Sequence, residues 1–191
     1  MKKFIEILNQ IQAMDEGMMF RLYQALERME YKYREIIMGG EKPPGYLYFI
    51  ENGTVATYII DDDERVVTGF RKGGDIIFDY KNLLSQTMSG EFIIANEPTT
   101  VYRMAFDKLQ ELLQAHPKFS RHISELVSRS VVEIEKRCNI ISSSDPRVRY
   151  RRYMEAYGSL IYSVPRNQLC SYLRFSEPTL REVRRCIGEL K

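Results

Sequence analysis

This 191-residue sequence has no run approaching the roughly 18–20 apolar residues that a membrane helix requires. Its start, "MKKFIEILNQIQAMDEG", opens on two lysines, but Glu6, Asn9 and Gln10 break any apolar stretch. It reads as an amphipathic helix rather than a signal peptide, and a cytoplasmic protein with no membrane partner is expected. Cysteine is scarce: three residues, Cys138, Cys170 and Cys186, odd in number and far apart, with no CxxC spacing. That excludes a disulfide framework and an iron–sulfur or zinc site, and leaves buried or idle thiols. The two histidines, His116 and His122, have no cysteine or histidine partners in ligand spacing, so they pack or finish a surface. No metal and no cofactor is expected. The phosphate-binding loop, the GxGxxG fingerprint, HExxH and GxSxG are all missing, and nothing points to an enzyme. The acidic "DDDE" of Asp61 to Glu64 lacks calcium-loop spacing and reads as a solvated hairpin tip.

What is present is a globular composition, 44% hydrophobic and 28% charged, able to bury a core. The charge is unevenly spread. From Asp145 to Lys191 there are ten Lys/Arg against five Asp/Glu, a net of +5 in a chain whose total is +2. A basic tail on a slightly acidic body suits a polyanionic partner, although a solvated basic helix has the same charge.

Phe4, Ile7, Leu8 and Ile11 recur at helical spacing, and Asp15 is placed to cap a second helix carrying Met19, Leu22, Tyr23 and Leu26. From about residue 30 the texture changes to short alternating runs such as "YLYFIENGTVATYII", "ERVVTGFRKGGDII" and "EFIIANEPTTVYRM", separated by turn signals. Strands at this spacing predict a sandwich or short barrel, and "ENG" between apolar runs predicts a hairpin. After Met104 the helical pattern returns. A long stripe follows Pro117: Phe119, Ile123, Leu126, Val127, Val131, Ile134, Cys138 and Ile141, with no Gly or Pro inside. Its mixed spacing of threes and fours resembles a coiled-coil seam. Such a helix either packs on its own sandwich or meets a partner helix. Its length, more than one small domain can cover, favours a homodimer seam of Ile123, Val127, Val131, Ile134 and Cys138. Ser142 to Ser144 then make a linker, Asp145 an N-cap and Pro146 a first helical residue. Three short helices complete the chain. The expected divisions are residues 1–117, a long helix at 118–142 and a terminal domain at 143–191.

Three motifs carry a family likeness. "GEKPPGYLYFIENGTV", with Gly40, Glu41, Tyr48, Ile50, Gly53 and Val55, is similar to a characteristic hairpin. "KGGDII" is similar to the glycine turn before a ligand cassette. "VPRNQLCSYLRFSEPTLREVRR" is similar to a helix-turn-helix. In this order and spacing the chain resembles the cyclic-AMP receptor protein and fumarate–nitrate regulator (Crp/Fnr) family of bacterial transcription regulators. The resemblance implies an α+β chain: a cyclic nucleotide-binding-like β-sandwich (double-stranded β-helix or jelly roll) with flanking helices, a long dimerisation helix and a small helix-turn-helix domain. It implies double-stranded DNA and a second copy as partners, with a small-molecule effector of unknown identity.

Carried over residue by residue, the likeness puts the effector pocket at Phe78, Asp79, Tyr80, Ser89, Gly90, Glu91 and Ile134. The family's Gly-Glu-Leu falls on Phe78-Asp79-Tyr80 and its phosphate-clamping Arg-Ser pair on Ser89-Gly90, so the clamp arginine is absent. An uncompensated buried phosphate loses about 2–5 kcal/mol, roughly 30- to 3000-fold in affinity. Cyclic AMP is therefore not expected to bind in the family's manner, and aromatics such as Phe78 and Tyr80 are candidates to fill the pocket from within. The DNA-reading set is Arg174, Ser176, Glu177, Thr179, Arg181, Arg184 and Arg185, with Leu180 and Val183 buried. Arg174 stands where the family's turn has glycine, and Pro178 and Glu182 where it has a glutamate and an arginine. The turn must strain or change shape, and any operator must differ. The alternative function is a small-molecule sensor or interaction module whose degenerate helix-turn-helix no longer binds DNA.

Overall fold

The computed structural model describes residues 1–39, 45–78, 90–158, 160 and 163–188. They form two compact units: residues 1–57 with 70–130, and residues 58–69 with 131–191. No described helix is long and apolar enough to cross a membrane.

In the first unit, α1 (Lys2–Ile11) and α2 (Glu16–Ala25) precede the strands β1 (Glu27–Tyr31), β2 (Ile36–Met38), β3 (Tyr46–Asn52), β4 (Thr54–Asp61), β5 (Glu64–Lys72), β6 (Ile76–Phe78), β7 (Glu91–Ala95) and β8 (Thr99–Ala105). The Asp15 carboxylate accepts from the Met18 amide at 2.8 Å and starts α2 as its N-cap. The strands make two four-stranded sheets, ordered β1-β8-β3-β6 and β2-β7-β4-β5. In the first sheet β8 pairs antiparallel with β1 and with β3, and β3 pairs antiparallel with β6.

The period-2 rule sorts β3 between two cores. Leu47 and Phe49, with Met104 of β8, enter one shared with Phe4, Leu8, Leu22 and Phe119 from the helical layer. Tyr48 and Ile50 enter the other, with Tyr31, Ile37, Met38, Ile93 and Val101. The first sheet is thus buried on both faces, which is why β3 reads as an almost unbroken apolar run. The turn between β3 and β4 is Gly53, at φ 94°, where an added Cβ would lie 2.5 Å from Thr99 Oγ1 and 2.9 Å from Thr99 Cα. Only glycine fits there. At the other end of β4, in the turn to β5, Asp62 and Asp63 take φ 46° and 63°, a left-handed pair that Asp tolerates better than most residues.

The chain then runs through α3 (Phe106–Ala115), a 3₁₀ turn (Pro117–Phe119) and α4 (Ser120–Ile141). With 22 residues, α4 is about 33 Å long. His122 near its start is fully buried, stacked on Phe119, with Nε2 donating to the Gln12 carbonyl at 2.9 Å. The second unit contains the far half of α4, then α5 (Pro146–Tyr157), α6 (Arg166–Leu173) and α7 (Glu177–Cys186). The Asp145 carboxylate caps α5 by accepting from the Arg147 amide at 2.8 Å, and Pro146 opens that helix. The units divide inside α4, and the second takes in the outer β4–β5 hairpin. This differs from divisions read along the sequence, because contacts between distant segments leave no trace in local texture.

Candidate functional site

The C-terminal unit is built around buried tyrosine, leucine and valine side chains from three helices. Tyr150 and Tyr153 of α5, Leu169, Tyr172 and Leu173 of α6, and Leu180 and Val183 of α7 are all buried. Tyr153 and Tyr172 meet edge to face at 5.4 Å between ring centres. Burial pushes the Tyr153 phenol well above the usual tyrosine range, so this ring stays neutral.

The turn between α6 and α7 resolves the question its missing glycine raised. Arg174 adopts the left-handed conformation, φ 55° and ψ 52°, that glycine would have taken. For a residue with a Cβ this costs about 1–2 kcal/mol. Its neighbours hold it there. The Arg174 and Phe175 amides donate to the Ser171 and Cys170 carbonyls at 3.2 and 3.1 Å. Arg149 on α5 donates from Nη2 to the Arg174 carbonyl at 3.1 Å and from Nη1 to the Ser143 carbonyl at 2.9 Å. Its guanidinium lies 5.7 Å from the centre of the Phe175 ring.

Ser176 then caps α7 by accepting from the Thr179 amide at 3.3 Å, and Pro178 sits in the first turn. With Leu180 and Val183 inward, Glu177, Pro178, Arg181, Glu182 and Arg185 share the exposed face, and Arg174 is exposed at the turn. Thr179 is half-buried. Arg184 departs from the expected reading face. It is half-buried, and its Nε donates to the Tyr150 hydroxyl at 3.0 Å, so it ties α7 to α5. A residue four positions from Leu180 turns toward the core edge, which the apolar pattern alone understated.

On α4, Ile123 and Val127 are half-buried against the helix-side core. Farther along, Val131 is 55% and Ile134 52% exposed, and Cys138 is exposed on the same stripe, three and four residues on. The opposite side of this half carries Glu133, which accepts from the Tyr157 hydroxyl at 3.2 Å, and buried Ile140. Cys170, in contrast, is buried, and burial raises its thiol above the ordinary range, with Glu177 adding to the effect.

In the sandwich, the expectation for Phe78 needs correction. Phe78 is buried with Ile76 in the core facing the helices, while Ile77 between them faces the other sheet. Strand alternation turns the Phe78 ring away from the space between the sheets, so it does not fill a pocket there. Tyr31 and Tyr48 fill that space instead, with Ile37, Met38, Ile50 and Ile93. Gly90 is exposed with nothing within 4 Å of an added Cβ, and Glu91 is half-buried at the start of β7. Asp79, Tyr80 and Ser89, like Gly40 and Glu41 of the hairpin motif, lie outside the described residues. Ile134, expected in the same pocket, is exposed on α4. Sequence reasoning missed Arg103, which pairs with Glu27 at 2.8 Å and lies 4.4 Å from the centre of the Tyr46 ring. It also missed Arg149. Neither belongs to a spacing motif, and both act through contacts between distant segments. Among the described residues no group of His, Cys, Asp and Glu is placed to hold a metal ion.

The profile of the cyclic nucleotide-binding domain matches residues 28–116. No curated protein sequence matches the chain. Among solved structures, the chain is similar to the c-di-GMP-responsive global regulator CLP of Xanthomonas campestris, at 16% identity and a TM-score of 0.73, covering 92% of each chain. It is similar to a CooA mutant from Carboxydothermus hydrogenoformans, at 15% identity and a TM-score of 0.74, covering 97% of this chain and 84% of that one. It is also similar to FixK2 from Bradyrhizobium japonicum, at 16% identity and a TM-score of 0.72, covering 86% and 85%. At these identities the likeness is one of fold.

Proposed function

We propose that this protein is a dimeric, DNA-binding transcription regulator of the Crp/Fnr type. In this reading two copies join along α4, and each presents α7 to the major groove of double-stranded DNA. The observation that carries it is the α6–α7 pair: a capped helix with Arg181 and Arg185 exposed at helical spacing, after a turn held in the conformation a helix-turn-helix requires. The net charge of +5 over residues 145–191 supports it. Arg181 and Arg185 suit guanine edges or phosphates. Glu177 and Glu182 suit the amino group of cytosine. The apolar stripe of Val131, Ile134 and Cys138 supports the dimer, because an isolated protomer would leave it in water.

The sandwich is the effector domain in this reading, and cyclic AMP is not its ordinary ligand. The tyrosine-filled interior and the lost clamp arginine both favour that view. One relative of the same fold is described as responding to c-di-GMP, so calorimetry should include cyclic AMP, cyclic GMP and c-di-GMP. The test of the function is a salt titration of binding to genomic DNA fragments. The regulator binds with affinity that falls steeply as salt rises. Absence of binding even at low ionic strength removes the proposal, and leaves the sensor or interaction module whose terminal helices only pack.

A further inference from the structure

The second unit contains one element from far away in the chain, residues 58–69 of the β4–β5 hairpin. Among the described residues β5 is the last strand of its sheet, and one side of its backbone meets no further described strand. The C-terminal helices take up three groups on that side. Ser171 of α6 accepts from the Val67 amide at 2.9 Å and donates to the Arg65 carbonyl at 3.3 Å. Arg137 of α4 reaches the Val67 carbonyl from Nη2 at 3.4 Å, with its guanidinium 5.5 Å from the centre of the Tyr172 ring. One donor and one acceptor, offered to positions two residues apart, are what a neighbouring strand would supply. A single serine on the first helix of the helix-turn-helix therefore acts as a substitute strand.

The hairpin brings charge with it. Residues 58–69 hold Asp61, Asp62, Asp63 and Glu64 against Arg65 alone, a net of −3. This sits within the compact unit whose residues 145–191 carry +5. A polyanion approaching that unit meets a much smaller positive charge than the helices would present by themselves. The five exposed residues of the α7 face are not occupied by these contacts, so the opposition is one of charge rather than of steric block.

We propose that the docked hairpin is an autoinhibitory latch: the Ser171 clasp holds an acidic strand end on the helix-turn-helix unit and lowers its affinity for DNA, and release of the clasp raises it. The inference rests on the DNA-binding reading and adds its regulation. β4 and β5 run from the sandwich unit into the clasp without a break, so a change at the sandwich end of the strands has a direct covalent route to it.

The test uses the full chain and two variants. Ser171→Ala removes the clasp, and Asp62→Asn with Asp63→Asn removes two charges while keeping a residue type that accepts the left-handed turn. Affinity for genomic DNA fragments is measured at low and at high salt, with amide exchange at Val67 in parallel. The expected result is slow Val67 exchange in the parent protein, fast exchange in Ser171→Ala, and DNA binding at least about threefold tighter in both variants at low salt. For the charge variant the gain closes once the screening length falls below about 8 Å. Equal Val67 exchange in parent and Ser171→Ala overturns the clasp. Unchanged or weaker DNA binding by either variant reduces it to edge cover and overturns the latch alone. No binding by any of the three, at any salt, defeats the DNA-binding reading itself and the latch with it.

Discussion

A single guanidinium, that of Arg149, spans the start of α5, the linker before it and the turn between α6 and α7. Replacing it with alanine strands two carbonyls and a half-buried ring contact, and should cost about 1–3 kcal/mol of stability in the C-terminal unit. Thermal unfolding followed through the tyrosine-rich core measures this. Arg174 makes a sharper case, because its backbone and its side chain pull in opposite directions. Arg174→Gly relieves the left-handed strain and should raise stability by up to about 1 kcal/mol. The same change deletes an exposed cation from each of two protomers, so the log–log salt slope of DNA binding by the dimer should flatten by about 1.8. Stability up with the slope unchanged means that the arginine makes no phosphate contact. The thiols divide by burial. Cys186 is exposed and should react with a thiol reagent in the folded protein; Cys138, exposed in the single chain but on the proposed seam, should react fully only once the protomers separate, and Cys170 only on unfolding. Titration of reactive thiols in native buffer and in denaturant counts them.

Among the elements, the helices were legible and the strand faces less so. Asp15, Asp145 and Ser176 stand where caps were expected, and each accepts an amide of its own helix. Cap chemistry is local, so sequence shows it. Phe78 was misread because a continuous apolar run, here Ile76 to Phe78, has no alternation from which to tell inward from outward. Which face meets helices and which meets the other sheet depends on partners remote in sequence. The Ser171 clasp was invisible for the same reason, since Ser171 and Val67 are 104 positions apart. At this scale the seam on α4 is the main prediction. Ile134→Asp should convert the dimer to a monomer in sedimentation experiments while leaving the fold intact, since Ile134 is exposed in the single chain. Mild oxidation should cross-link the parent protein through Cys138 and fail with Cys138→Ser. A dimer that survives Ile134→Asp would move the interface elsewhere.

For the molecule as a whole, the α+β layout and the sandwich were readable because hydrophobic period and turn residues both survive in one sequence. The basic terminal segment was readable from charge alone. The effector was not, because a pocket is defined by which side chains fill it, and that depends on the convergence of β1, β2, β3 and β7 residues such as Tyr31, Ile37, Tyr48 and Ile93. In the proposed function these parts serve one act: the paired terminal helices read duplex DNA. Sedimentation of a labelled, selected genomic duplex with the protein, across a range of salt, tests that claim most directly. The account predicts two protomers per duplex and binding that weakens steeply as salt increases. Sedimentation of the duplex unchanged by the protein at low salt, or a complex of one protomer indifferent to salt, would contradict it.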